Sequence, residues 1–244
     1  MLVYEITKEE ELLNIAKSST KFILSDLNKT HDSDNNYTLS YSPLDKTQVY
    51  NAGLLGAKLL CLVYQYSKEE VLIMNAKKIV SFVCKCQRED GAWTYGTLPF
   101  HQWIDNFHTG YNLECISTYQ QISKDKSFDK NISKGLKYYL KTFFTEDGIS
   151  KYYNDRVFPI DIHAPAQLIV TLSKLKVFSK NEALINRVLE WTINNMQSNK
   201  GYFYYQKNKF FTSKIPYIRW AQAWMFYALS YYTLDTDENK HTKH

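Results

Sequence analysis

One motif recurs four times along this chain at nearly even spacing, and this limits the fold more than any other feature. A repeat of this length is one supersecondary unit that buries its apolar face only against its neighbours. The clearest copy is QREDGAWTY at 87–95; TEDGISKYY at 145–153 and QSNKGYFYY at 197–205 follow. Their glycines, Gly91, Gly148 and Gly201, are 57 and 53 residues apart. HDSDNNYTLSY at 31–41 is an earlier copy without glycine. Behind each turn, a polar residue opens an apolar segment: Asn51, His108, His163 and Arg219, at spacings of 57, 55 and 56 residues.

Two kinds of helix flank each turn. Residues 8–27 place Leu12, Leu13, Ile15, Ala16, Phe22 and Ile23 at three- and four-residue intervals, the pattern of an amphipathic helix. Residues 69–88, 130–144 and 179–198 behave alike. The second helix of each unit (GLLGAKLLCLVY, GYNLECISTY, APAQLIVTLSKL, AQAWMFYALSYY) is apolar nearly all round, as a buried helix is. The sequence therefore predicts an all-α protein, an α/α toroid of four helix hairpins of about 56 residues each. The starts of the four inner helices converge on one cleft. Four hairpins make an incomplete or shortened ring, which a homodimer or a partner protein would complete. No Pro/Gly/Ser-rich linker interrupts the chain, so residues 1–234 read as one domain and 235–244 as a flexible charged tail.

Composition narrows the function. Lys plus Arg number 30 and Asp plus Glu 25, a net charge of +5 with no basic block, so a nucleic-acid binder is not expected. No apolar run is long enough to span a membrane, and the N-terminus MLVYEITKEEELL lacks the layout of a secretory signal. A cytoplasmic protein with reduced cysteines is expected. Cys84 and Cys86 are too close for a usual zinc pair and have no second pair at zinc spacing. Neither a metal nor another cofactor is expected. The 20 Tyr, 13 Phe and 5 Trp suit an aromatic-lined core or cleft.

The candidate catalytic residues are His108, His163, Asp105, Asp161 and Tyr95. His108 opens an inner helix three residues after Asp105, which can orient its ring for acid–base work. His163 holds the equivalent position one repeat later, two residues after Asp161. The structural alternative is a helix cap and a core-facing imidazole. Asn51 and Arg219 share this register. Asn51 is read as a ligand contact or an N-cap. A cation at a helix start opposes the helix dipole, so Arg219 is read as an anion site or as the partner of Asp105 or Asp161. Trp93, Trp103, Tyr153 and Tyr205, with Tyr95, are candidates for stacking on sugar rings or for closing the rim. Gln167, Gln222 and Trp224, one turn further into the inner helices, are candidates for the cleft floor.

The stretch Phe82-Val83…Gln87…Gly91…Trp93 resembles the QW repeat of the prenyltransferase and squalene-cyclase superfamily. That resemblance implies the toroid fold, with the Gln and Trp tying helices to turns. The Asp-rich acid motif of the cyclases is missing. DGAWTYG at 90–96 with WIDNFHTGY at 103–111, and YSPLD at 41–45 with YNA at 50–52, resembles a group of toroid proteins encoded among bacterial surface-polysaccharide genes. This implies a lipopolysaccharide or capsule setting. The set of Asn, His, Tyr and Arg also resembles that of toroidal uronate lyases, in which Asn or Arg neutralises the sugar carboxylate and Tyr or His removes the neighbouring proton. The reading is a protein that binds or modifies an acidic sugar or sugar nucleotide. Handling of prenyl or polyprenyl phosphates and a non-catalytic scaffold are the alternatives.

Overall fold

The computed structural model describes residues 1–241. The chain divides into two compact units, Met1–Trp103 with Cys115–Gly135 and Ile104–Glu114 with Leu136–His244. The described residues form nine α-helices, five short strands and a few single turns. The amphipathic helices are α2 (Glu10–Lys21), α4 (Glu70–Lys85), α6 (Asp129–Phe143) and α8 (Glu182–Met196). The apolar ones are α3 (Tyr50–Ser67), α5 (Asn106–Ser123), α7 (His163–Lys174) and α9 (Ala223–His241). A short α1 (Leu2–Thr7) precedes them. α9 runs to His241, so residues 235–241 of the expected tail are helical, and 242–244 lie outside the described residues. No helix among the described residues is long and apolar enough to cross a membrane.

In the first unit α3 packs on α4, burying Leu54, Leu60, Cys61 and Val63 against Leu72, Ile79 and Val83. In the second, α7 packs on α8 and α9, and every residue from His163 to Leu172 is buried. α9 departs from the expectation of a helix buried all round. Met225 and Ala228 are buried, but Phe226 is 76% exposed and Leu234 61%.

The repeat is visible in the backbone as one recurring tie. The turn after an amphipathic helix pairs with the entry of the apolar helix that precedes it. Tyr50 N–H donates to the Tyr95 carbonyl at 3.2 Å, Asn106 N–H to Tyr152 at 2.9 Å and Ile162 N–H to Tyr205 at 3.1 Å. The third tie widens into a small sheet in which β3 (Ile160–Asp161) pairs with β4 (Gln206–Lys207) and β4 with β5 (Thr212–Ser213), all antiparallel. β1 (Lys29–His31) and β2 (Tyr37–Leu39) form a separate hairpin.

Two of the turn glycines are required by contact as well as by φ. Gly91 and Gly148 sit at φ +96° and +91°, where L side chains are strained. A Cβ on Gly91 would lie 2.4 Å from the Lys134 carbonyl oxygen, and one on Gly148 would lie 2.6 Å from that of Arg187. Each turn therefore rests directly on the backbone of the next amphipathic helix. The apolar helices α3, α5 and α7 give way to the next helix through Lys68, Lys124 and Lys176, at φ +58°, +63° and +57°.

Candidate functional site

The polar groups of the second unit collect where α5 and α7 begin. Asp105 precedes α5 and is buried. Its Oδ1 accepts the His108 N–H at 3.0 Å, an N-cap bond, and its Oδ2 lies 2.7 Å from His108 Nδ1. One carboxylate thus caps the helix and orients the ring. A carboxylate at Nδ1 holds the proton on that nitrogen and leaves the Nε2 lone pair as the basic position of the imidazole. The His108 side chain keeps 21% exposure, while Asp105 keeps 1%.

Asp161 and His163 are arranged differently. Asp161 Oδ1 accepts the backbone N–H of His163 at 3.0 Å and the Trp220 indole N–H at 2.9 Å. Its Oδ2 accepts from Gln206 at 3.3 Å. Burial outweighs these bonds and pushes the carboxyl pKa up to about 6. At a spacing of two residues the carboxylate meets the helix N-terminus instead of the ring, so the expected second Asp–His ring pair does not form. The His163 ring lies instead between Phe107 (centroids 4.6 Å, 13°) and Trp224 (4.2 Å, 30°), with Trp220 at its edge (4.6 Å, 72°). Burial, and secondarily the charge of His108, lower its pKa to about 3, so the ring is neutral. Its Nε2 meets the Tyr111 hydroxyl at 2.7 Å, and its Nδ1 has no hydrogen-bond partner.

The register of the repeats also needs correction. The backbone ties align Tyr50, Asn106 and Ile162. His163 therefore corresponds to Phe107 and Asn51, and His108 falls one residue later. Asn51 is the second residue of α3, not its cap; it is buried, with Oδ1 unpartnered.

Arg219 lies in a π-helical turn, Ile218–Gln222, just before α9. Turns of this kind recur at functional sites. Ile215, Pro216, Tyr217, Ile218, Arg219, Trp220 and Trp224 line an open cleft of about 790 Å³ there. Asp161 is taken by Trp220, Gln206 and a backbone N–H, and Asp105 by His108. Among the described residues, no carboxylate pairs with Arg219, which excludes its reading as their ion-pair partner. Tyr205 stands edge-on to Tyr217, at 5.2 Å and 89°. Tyr153 pairs across its backbone with Asp105 and carries the Arg156 guanidinium over its ring at 4.8 Å. Gln222 is fully engaged: its amide accepts from Phe203 N–H at 2.9 Å and donates to Phe203 O at 2.7 Å. It fixes a turn and is no part of a cleft floor.

In the first unit, Trp93 is 2% exposed and donates to the Val83 carbonyl at 2.9 Å. Gln87 bonds the Gly91 and Asn131 carbonyls. These two residues tie helix to turn, and Trp93 is too deeply buried to stack on a ligand. Tyr95 stacks on Trp103 at 4.6 Å and 16°, with His101 edge-on to both. This packing closes a loop. Trp103 remains 38% exposed.

Sequence reasoning missed Tyr111 and Trp220, whereas Trp224, a candidate for the cleft floor, does line the cleft. Tyr111 lies three residues after His108 on the same helix face, which is a readable signal; its partner His163 is 52 residues away, which is not. No group of three or more His, Cys, Asp or Glu among the described residues is placed to hold a metal ion.

No family model and no curated protein matches the sequence. Solved structures do match the fold. A cellobiose 2-epimerase from Bacillus thermoamylovorans is 12% identical, with a TM-score of 0.68 over 88% of this chain and 64% of that one. An unsaturated glucuronyl hydrolase specific for heparin is 17% identical, with a TM-score of 0.63 over 93% and 61%. A sugar epimerase from a ruminal bacterium is 11% identical, with a TM-score of 0.69 over 87% and 62%. The likeness shows the fold, an all-α chain of the α/α-toroid class built from helix hairpins, as the repeats predict. The chain spans about three fifths of the length of these structures.

Proposed function

We propose that this chain binds and modifies an acidic sugar or sugar nucleotide during the cytoplasmic synthesis of a bacterial surface polysaccharide. One observation carries the reading. Arg219, which pairs with no carboxylate among the described residues, shares a cleft with Trp220 and Trp224, and both indoles pack on His163, beside Tyr111 and the Asp105–His108 pair. Indole faces suit the apolar face of a sugar ring, and a guanidinium suits its carboxylate or a phosphate. The sugar epimerases and glucuronyl hydrolase that share the fold support a sugar substrate.

Within this reading, Arg219 holds the anion and His108 Nε2 removes the proton next to the sugar carboxylate, which is chemistry of the lyase or epimerase class. Hydrolysis by paired carboxylates is disfavoured, because Asp105 is bound to His108 and Asp161 is closed in by three donors. Tyr205, behind Tyr217, and Tyr153, next to Asp105, border the same region.

A second reading has one observation in its favour. Apart from Arg219, the cleft is lined by apolar and aromatic side chains, which also suit a polyprenyl phosphate. A thermal-shift panel of uronic acids, sialic acids, nucleotide sugars and polyprenyl phosphates separates the two. The first reading expects stabilisation by acidic sugars that disappears in Arg219→Ala. Stabilisation by polyprenyl phosphates alone would replace it with the second.

A further inference from the structure

The tautomer of His163 determines what Tyr111 can do. The ring is fully buried between Phe107 and Trp224, with Trp220 at its edge. The ionisable groups around it are Asp161, His108 and Tyr111, and the Asp161 carboxylate is bound to the His163 backbone, Trp220 and Gln206 rather than to the ring. Nothing stabilises an imidazolium there, so the ring carries a single N–H. Nε2 has a partner, the Tyr111 hydroxyl at 2.7 Å, and Nδ1 has none. A hydrogen on Nδ1 would be a buried donor without an acceptor, the rarer and costlier defect; a bare Nδ1 leaves only a lone pair unmet. The hydrogen therefore sits on Nε2 and is donated to the Tyr111 oxygen. The phenol's own hydrogen is then directed away from His163.

We infer that Tyr111 is the proton donor of this site and that His163, fixed as its Nε2–H tautomer, is the positioning residue that holds the phenol. This rests on the acidic-sugar reading for its substrate. It divides the chemistry between two rings 5.9 Å apart. His108 Nε2 takes a proton from the sugar carbon, and the Tyr111 O–H gives one to the oxygen on which charge develops. The resulting phenolate is stabilised by the His163 N–H. One proton enters the protein and one leaves it. His163 itself neither gains nor loses one, which removes it from the acid–base candidates and replaces it with a residue that sequence spacing did not single out.

Long-range proton–nitrogen NMR of the full chain, labelled with 15N, reads the tautomer without any ligand. The expected result is a neutral His163 with the hydrogen on Nε2 throughout about pH 5 to 8. Tyr111→Phe should shift that nitrogen. A hydrogen on Nδ1, or a titration in this range, overturns the inference. The second readout uses methyl β-D-glucuronide in deuterium oxide. Tyr111→Phe should bind it with a Kd within about threefold of the wild type. Its deuterium incorporation next to the carboxylate should fall about 100-fold. His163→Phe, which keeps the ring stack, should lose exchange comparably but keep the shape of the pH profile, whereas His108→Ala abolishes that profile. Unchanged exchange in Tyr111→Phe, or a bound probe that the wild type does not exchange, overturns the donor role and leaves the acidic-sugar reading standing. Failure of the wild type to bind the probe or any other acidic sugar overturns that reading, while the NMR result still decides the tautomer.

Discussion

Asp161→Asn tests whether a buried carboxylate is strained by its own charge. Asp161 is fully buried, and burial raises its pKa from 3.8 to about 6. A carboxyl whose pKa is higher folded than unfolded stabilises the fold fully only below the unfolded value. That contribution is lost as the pH climbs through the folded value. A difference of about two pH units corresponds to about 3 kcal/mol, most of it lost between about pH 4 and pH 7. Asparagine has nearly the same shape and keeps an acceptor for the His163 and Trp220 N–H groups, but it does not ionise. Urea denaturation of both proteins across this range, taken as a difference, cancels the other titrating groups. The stability of Asp161→Asn relative to the wild type should rise by about 2 kcal/mol from pH 4 to pH 7. A difference independent of pH would refute the reasoning, because Asp161 would then ionise in the fold as easily as in the unfolded chain.

Four further substitutions test the repeat. Gly148→Ala should cost about 3 kcal/mol or more by denaturation, because the new Cβ strains φ and meets the Arg187 carbonyl at 2.6 Å. Gly201→Ala, at φ +89° with nothing within 4 Å of the added carbon, should cost only about 1 kcal/mol, so equal losses would contradict the contact argument. Lys68→Gly should stabilise by about 0.5–1 kcal/mol, read as a rise in Tm, because Lys68 holds a left-handed conformation at φ +58°. Trp93→Phe should cost about 1–3 kcal/mol, since it leaves the buried Val83 carbonyl without its indole partner, and should leave ligand binding unchanged.

The elements were legible in the sequence because their signals are local. Apolar spacing along Glu70–Lys85 and the glycine at 91 mark a helix and its turn without reference to the rest of the chain. The Asp105–His108 pair was legible for the same reason, since three residues at a helix start bring carboxylate and ring together. Legibility ended where distance along the chain and distance in space diverge. The Tyr111–His163 bond and the stack of Phe107, His163 and Trp224 join residues from different repeats. The one-residue slip between His108 and His163 was invisible because both histidines stand near a helix start, and only the backbone ties show which residues correspond. Trp93 and Gln222 looked like cleft residues because an indole or amide near a turn serves a ligand or the backbone equally well. The left-handed lysines at 68, 124 and 176 were missed because glycine or asparagine is the usual marker of that conformation.

The most direct test of the acidic-sugar account is the set of five tryptophan indole N–H signals in a proton–nitrogen spectrum, recorded as a uronate is added. Trp220 and Trp224 line the cleft with Arg219, whereas Trp93 is buried and bound to Val83. The account predicts that the Trp220 and Trp224 signals move with glucuronate, stay still with the uncharged glucoside, and stay still with glucuronate in Arg219→Ala, while Trp93 never moves. Signals that ignore every acidic sugar, or that respond equally in Arg219→Ala, would contradict it.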